Sequence, residues 1–336
     1  MREGYRVGDW TAARPLAGGG PGKAWLARHV ESHELGVVKL LATSDPGLAD
    51  RLFHALERLR SWSHPALAVV LDHDLHEGQP YVVMSYMPGE SLEARLRAQQ
   101  PMQVERALQV FSDLAFGLAS AHAEGVPHGQ VQARRIVLRP DGWGALVGPR
   151  LLPLPPGGAA ASYLPPEAFE GAPAPTPPAD VYALGQALYE ALRGRAVFRG
   201  VSSGGTAPGT RHARIAQEKL ASDSLDPGPA FSDPLRRWVK RATHPDPLRR
   251  PHARELAEGL ATMLSRELRY TLARWSRGEP ESEGHWTDVT TVPRAPSPMH
   301  RRRRLGLAIA VGAALMGALL LALGMCAGLV WLVVGG

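Results

Sequence analysis

Between Tyr5 and Met87 the chain breaks into short apolar runs separated by polar turns: Trp25 to Val30, Leu35 to Leu41, Ala68 to Leu75 and Tyr81 to Met87. Runs of this length, bounded by Gly, Pro and charged residues, predict β-strands. One stretch inside this region has a different period. From about Pro46 to Ser61, Leu48, Leu52, Leu56 and Leu59 recur every three to four positions, which places them on one face of a helix. After Glu90 the helical period dominates, most clearly over Val104 to Glu124 and Val181 to Leu192. A last helix after Pro251 carries Leu256, Leu260, Leu264, Leu268 and Leu272 at intervals of four. Residues 199–230 are rich in Gly, Ser and Pro and predict a loop; residues 276–300, rich in Pro, Glu, Ser and Thr, predict a flexible linker. The pattern predicts an α+β fold with two lobes, a small β-rich one over residues 1–88 and a larger helical one over 89–275.

From Leu305 to Gly336 no residue is charged. As a helix, residues 305–334 would rise about 45 Å, more than the roughly 30 Å of a bilayer's hydrocarbon, so one transmembrane crossing is expected there. Residues 276–304 then form the linker and carry the basic flank. Arg301 to Arg304 sit immediately before the apolar tail, and basic residues favour the cytoplasmic side. The expectation is a single-pass protein of the inner cell membrane with its folded body in the cytoplasm, and with only a couple of residues beyond the bilayer. The start of the chain, Met1-Arg2-Glu3-Gly4-Tyr5, lacks the basic flank and apolar core of a secretory signal. Ala310, Ala314, Ala318 and Ala322 recur every four positions, a spacing that lets two helices approach closely and predicts weak self-association of the tail.

The net charge of +6 suggests nucleic acid until it is located. Five of the 38 basic residues, Arg294 and Arg301 to Arg304, flank the tail, and without them 33 basic residues face 32 acidic ones. A near-neutral body gives no footprint for a phosphate backbone. The single cysteine, Cys326, lies in the apolar tail, so neither a disulfide framework nor a cysteine-based metal site is expected. His54, His73, His76 and His122 are spaced too irregularly to predict a metal site.

A series of short motifs carries more specific chemistry. Leu16-Ala17-Gly18-Gly19-Gly20-Pro21-Gly22 is a glycine-rich turn, and Val37-Val38-Lys39-Leu40 is a strand with a central lysine, one of four in the chain. There follow Tyr81 to Leu92, Ala121-His122-Ala123-Glu124-Gly125-Val126-Pro127-His128, Pro165-Pro166-Glu167, Asp180-Val181-Tyr182-Ala183-Leu184-Gly185, and His244-Pro245-Asp246-Pro247 with Arg249-Arg250-Pro251. In this order and spacing, over about residues 10–262, the chain resembles the eukaryotic-like serine/threonine protein kinases of bacteria.

The resemblance implies a bilobal kinase fold and assigns roles. Gly18, Gly19, Gly20 and Gly22 would approach nucleotide phosphates, Lys39 would pair with them, and Met84 would guard the back of the adenine pocket. Glu167 would pair with Arg250, and Asp180 would open a helix of the large lobe. Against the family's catalytic loop, HRDxxxxN, the chain reads His128-Gly129-Gln130-Val131-Gln132-Ala133-Arg134-Arg135. Gln130 thus stands where the family has its catalytic Asp, Gln132 lies within the same loop, and Arg135 takes the place of the metal-binding Asn. Gly148-Pro149-Arg150 stands where DFG is expected, so Gly148 replaces the second metal ligand. The glutamate expected on the small-lobe helix falls on Ala55, and Glu57, two residues on, points about 200° away. The activation segment, Leu151 to Ser162, holds no threonine and only Ser162 as a hydroxyl.

A glutamine amide does not accept a proton as a carboxylate does, and an arginine repels a dication. These replacements predict a pseudokinase that acts as a membrane-held scaffold or regulator of a protein partner, such as another kinase. The alternative is an active kinase with an unusual site, which Lys39 and the glycine turn favour. Gly22, Lys39, Arg135 and Arg150 further suggest a cleft that binds ATP or another phosphate compound without magnesium.

Overall fold

The computed structural model describes residues 1–16, 24–41, 46–60, 62–151, 158–171, 175–198 and 208–265. Gly18, Gly19, Gly20 and Gly22, half of the activation segment (152–157), the linker and the tail over 305–334 lie outside the described residues. Among the described residues no helix is long and apolar enough to cross a membrane.

The chain opens with strands β1 (Arg6–Val7), β2 (Trp10–Pro15), β3 (Trp25–His29) and β4 (Leu35–Leu40), then helix α1 (Pro46–Leu59), then β5 (Val70–His76) and β6 (Gln79–Ser85). All six strands join one antiparallel sheet in the order β1-β2-β3-β4-β6-β5. The four predicted strands are present with shifted ends. Alternation explains why they pair: Val7, Trp10, Ala27, Val38, Tyr81 and Val83 bury one face of the sheet as a cluster of its own. The opposite face carries Val82 and Met84 toward α1, whose Leu52, Leu56 and Leu59 are all buried. β1 and β2 were not among the predicted strands. Trp10 and Ala12, alternating with Thr11, were their only signal.

The second part consists of β7 (Glu90–Ser91), α2 (Leu92–Arg97), α3 (Val104–Ala123), β8 (Ile136–Leu138), β9 (Gly144–Leu146), α4 (Pro177–Arg193), α5 (Pro208–Leu220), α6 (Asp233–Ala242) and α7 (Ala253–Ala261). The helix α3 runs through its centre, with Phe111, Leu114 and Leu118 inaccessible to solvent. Fully burying side chains of this size contributes about 1.5–3 kcal/mol each. The short strands β7, β8 and β9 form a separate sheet. A parallel bridge between Leu67 and Leu146 ties the segment after α1 to β9, so the two parts share backbone hydrogen bonds as well as a continuous apolar core.

Two expectations are corrected. Residues 199–230 do not form one loop, because α5 occupies Pro208–Leu220. Its inner face is made by Ile215 and by the buried Lys219, and a lysine facing inward hides the apolar stripe that would have announced the helix. Lys219 Nζ donates to Gln186 Oε1 at 2.7 Å and lies 4.2 Å from the centre of the Phe198 ring, which satisfies the ammonium inside the core. The last helix also ends earlier than its leucine spacing predicts. α7 stops at Ala261, and Leu264 is buried from the turn that follows. Leu268 and Leu272 lie outside the described residues.

Candidate functional site

Three segments meet between the two parts: β4, the loop from His128 to Arg135 that ends in the 3-10 turn Ala133–Arg135, and the segment following β9. Their backbones are pinned to each other. Val147 N donates to Arg135 O at 2.9 Å, and Arg150 N donates to His128 O at 2.8 Å.

Asp180 anchors the loop from below. Pro177 and Pro178 open α4, and Thr176 Oγ1 caps it by accepting from Ala179 N, which sets Asp180 in the first helical turn. There the buried carboxylate accepts from His128 N at 2.7 Å and Gly129 N at 2.8 Å, and His122 Nε2 lies 3.0 Å away. Gly129 has φ +70, a conformation that L side chains adopt at a cost, and a β-carbon there would meet the Pro175 ring. His128 is fully buried and stacks on Trp62 at 6.0 Å. Burial holds its imidazole down to about 4, so it is neutral at pH 7.

The positions matched to catalysis hold no acid. Gln130 Oε1 is shielded from solvent and has no hydrogen-bond partner, while Gln132 is almost fully buried. Arg135 reaches over Gly148. Its guanidinium carbon lies 3.1 Å from the point a β-carbon on Gly148 would take, and Nη1 lies closer still. Gly148 itself has φ +62. The space that a longer side chain at 148 would enter is thus filled by the arginine.

Lys39 comes from β4, where it stands opposite Val82 of β6, and Met84 two residues on is buried in the core. Burial, then Arg135, then Arg134 push the Lys39 ammonium toward its neutral form. Burial first and then Arg134 lower Arg135 to about 10. Among the described residues, neither group forms an ion pair with a carboxylate, and the charges acting on both are cationic. Glu57 is occupied elsewhere: its Oε1 lies 3.2 Å from His73 Nε2 and 3.3 Å from Arg60, on an exposed face. Ala55 offers only a methyl group. Among the described residues no group of three or more His, Cys, Asp or Glu could hold a metal ion.

The cleft therefore gathers Lys39, Arg134 and Arg135. Arg134 did not figure in the sequence expectation, although its place beside Arg135 in the same turn was legible. The β-carbon of Arg150, the further arginine expected here, lies 3.1 Å from the point a β-carbon on Gly129 would take. The arrangement can attract and hold an anion; among the described residues it gathers neither a carboxylate base nor an oxygen pair for magnesium.

Away from the cleft, Glu167 sits in the 3-10 turn Pro166–Phe169, and both its oxygens accept from Arg250 Nη1 and Nη2 at 2.7 Å. The Arg250 side chain is wholly buried, and it also donates to the carbonyls of His244, Pro245 and Pro178. Ser162 is buried. Next to it, the Tyr163 hydroxyl donates to the buried Glu190, which also accepts from Gln186 Nε2 and Val197 N.

Residues 12–143 match the family model described as protein tyrosine and serine/threonine kinase. Among curated proteins, the chain is 29% identical over 285 residues to serine/threonine-protein kinase PkaB of Streptomyces coelicolor, covering 76% of this chain and 63% of that protein. It is 29% identical over 211 residues to serine/threonine-protein kinase PknE of Mycobacterium tuberculosis, covering 59% and 37%. To PknH of the same species it is 27% identical over 215 residues, covering 60% and 34%. The match thus spans less than two thirds of each relative. These likenesses support a kinase domain of the bacterial serine/threonine type and fit the β-rich and helical parts described above.

Proposed function

We propose that this kinase-like chain transfers no phosphate and works as a binding module, held at the membrane by residues 305–334 and acting on a protein partner. The observation that carries the reading is the Arg135 guanidinium lying over Gly148. Two positions that would have to grip magnesium hold a cation and no side chain at all. The phosphoryl-transfer transition state depends on such electrostatic stabilisation, and a single lost contact of this kind raises a barrier by about 2.7–4 kcal/mol. Here the base at 130 and both metal ligands are replaced together, and Lys39 has no carboxylate partner to hold it among the described residues.

Incubating the purified full-length chain with γ-labelled ATP and magnesium or manganese, with and without generic protein substrates, tests this directly. No incorporation is expected. Metal-dependent incorporation that disappears in Lys39→Ala would instead establish an active kinase, the reading favoured by the position of Lys39 on β4 beside Met84. Membrane anchoring has its own measurement: deletion of residues 305–336 should move the protein from the membrane fraction to the supernatant.

A further inference from the structure

Among the described residues, no carboxylate pairs with the positive charge of the cleft. Lys39 approaches from β4, and Arg134 and Arg135 from the turn before β8. Nε of each arginine is shielded from water and makes no hydrogen bond, and Gln130 Oε1, earlier in the same loop, is in the same condition. None of the three cations belongs to an ion pair of the described residues, although Arg6, Arg97, Arg236 and Arg241 all find carboxylates. Half-buried like charges side by side are costly, and a bound anion removes that cost.

We propose that Lys39, Arg134 and Arg135 form a subsite for a phosphorylated small molecule, and that the ligand binds there without a divalent cation. The inference rests on the preceding reading, in which magnesium has no ligands at 135 and 148. Two guanidinium forks can each present paired N–H donors to phosphate oxygens, and an ammonium adds a third charge. A tetrahedral oxyanion of two or more negative charges matches three cations better than a carboxylate of one. Magnesium should then weaken binding: it neutralises part of the ligand's charge, and Arg135 repels it from the place where a metal would bridge ligand to protein. Magnesium antagonism is the property that sets this subsite apart from a metal-dependent nucleotide site.

The test measures binding to the full-length chain by calorimetry and thermal shift, using inorganic tripolyphosphate, ATP and adenosine, each in EDTA and in excess magnesium. Tripolyphosphate and ATP should bind in EDTA and adenosine should not, with affinity falling several-fold when magnesium is added. Arg135→Gln should lower the affinity for tripolyphosphate in EDTA about tenfold or more. The same variant should raise the melting temperature of the ligand-free protein, since one uncompensated cation is gone; a variant that misfolds does the opposite, and Arg134→Gln then repeats the measurement. Binding that requires magnesium, absence of binding by both phosphates in EDTA, or unchanged affinity in both arginine variants overturns the proposal. Adenosine binding as tightly as ATP overturns it as well, because the recognised group is then not the phosphate. Failed phosphate binding together with absent phosphoryl transfer overturns this inference alone and leaves the preceding reading standing.

Discussion

The guanidinium of Arg135 occupies the space into which a side chain on Gly148 would grow. The two residues are thirteen positions apart, and a backbone hydrogen bond from Val147 N to Arg135 O holds them together. They are therefore coupled, and replacing one changes what the other tolerates. Gly148→Ala should destabilise the protein by about 1–2 kcal/mol, since φ +62 is unfavourable for any L side chain and the new methyl group must also displace the guanidinium. In an Arg135→Ala background only the backbone part should remain. A double-mutant cycle by urea denaturation that returns no coupling energy contradicts the arrangement.

Gln130→Asp restores the residue type of the catalytic base, yet it should produce no phosphoryl transfer on its own. Arginine at 135 and glycine at 148 still leave the phosphates without magnesium. Measurable transfer in the single variant would show that the metal enters by another route.

The ion pair between Glu167 and Arg250 is the most buried charge pair with two hydrogen bonds among the described residues: two parallel bonds of 2.7 Å with the arginine side chain fully enclosed. Breaking such a pair leaves a buried charge uncompensated at a cost of about 3–5 kcal/mol. Glu167→Ala should accordingly lower the melting temperature by roughly 6–20 °C, at about 2–4 °C per kcal/mol for a domain of this size. An unchanged melting temperature would remove the pair from any structural role.

Two buried histidines give the fold an acid sensitivity above the range of the carboxylates. His64 and His128 are lowered by burial from 6.5 to about 4, so the unfolded chain takes up protons first as the pH falls. The stability they confer is complete above pH 6.5 and is lost progressively toward pH 4. At about 1.4 kcal/mol per pKa unit, each should cost about 2 kcal/mol by pH 5. Urea midpoints measured from pH 7.5 to 5 should fall with this slope, and His128→Gln, though less stable at pH 7.5, should show a shallower one. Parallel curves for the two proteins would exclude His128 as a contributor.

Short-range pattern carried much of this protein. The alternation in Trp25 to Val30 and Tyr81 to Met87, and the leucines of Pro46 to Ser61, marked strands and a helix because burial of one face is written directly into residue spacing. Substitutions were equally legible: Gln130, Arg135 and Gly148 are read straight from their positions in ordered motifs, and what each residue cannot do follows from its chemistry. Helix α5 was not legible, because Lys219 presents a charge where a core residue is expected and only the distant Gln186, Tyr182 and Phe198 make its burial tolerable.

The direction of the Arg135 side chain belongs to the tertiary structure as well. The sequence by itself determined that the acids of a magnesium site are missing from the matched motifs. Only the folded chain decided that an arginine reaches into the vacated space, that Arg134 and Lys39 join it, and that Glu57 turns to His73. The reason is physical: the identity of a side chain is local information, whereas its electrostatic environment is set by groups that the backbone brings together from far apart in the chain.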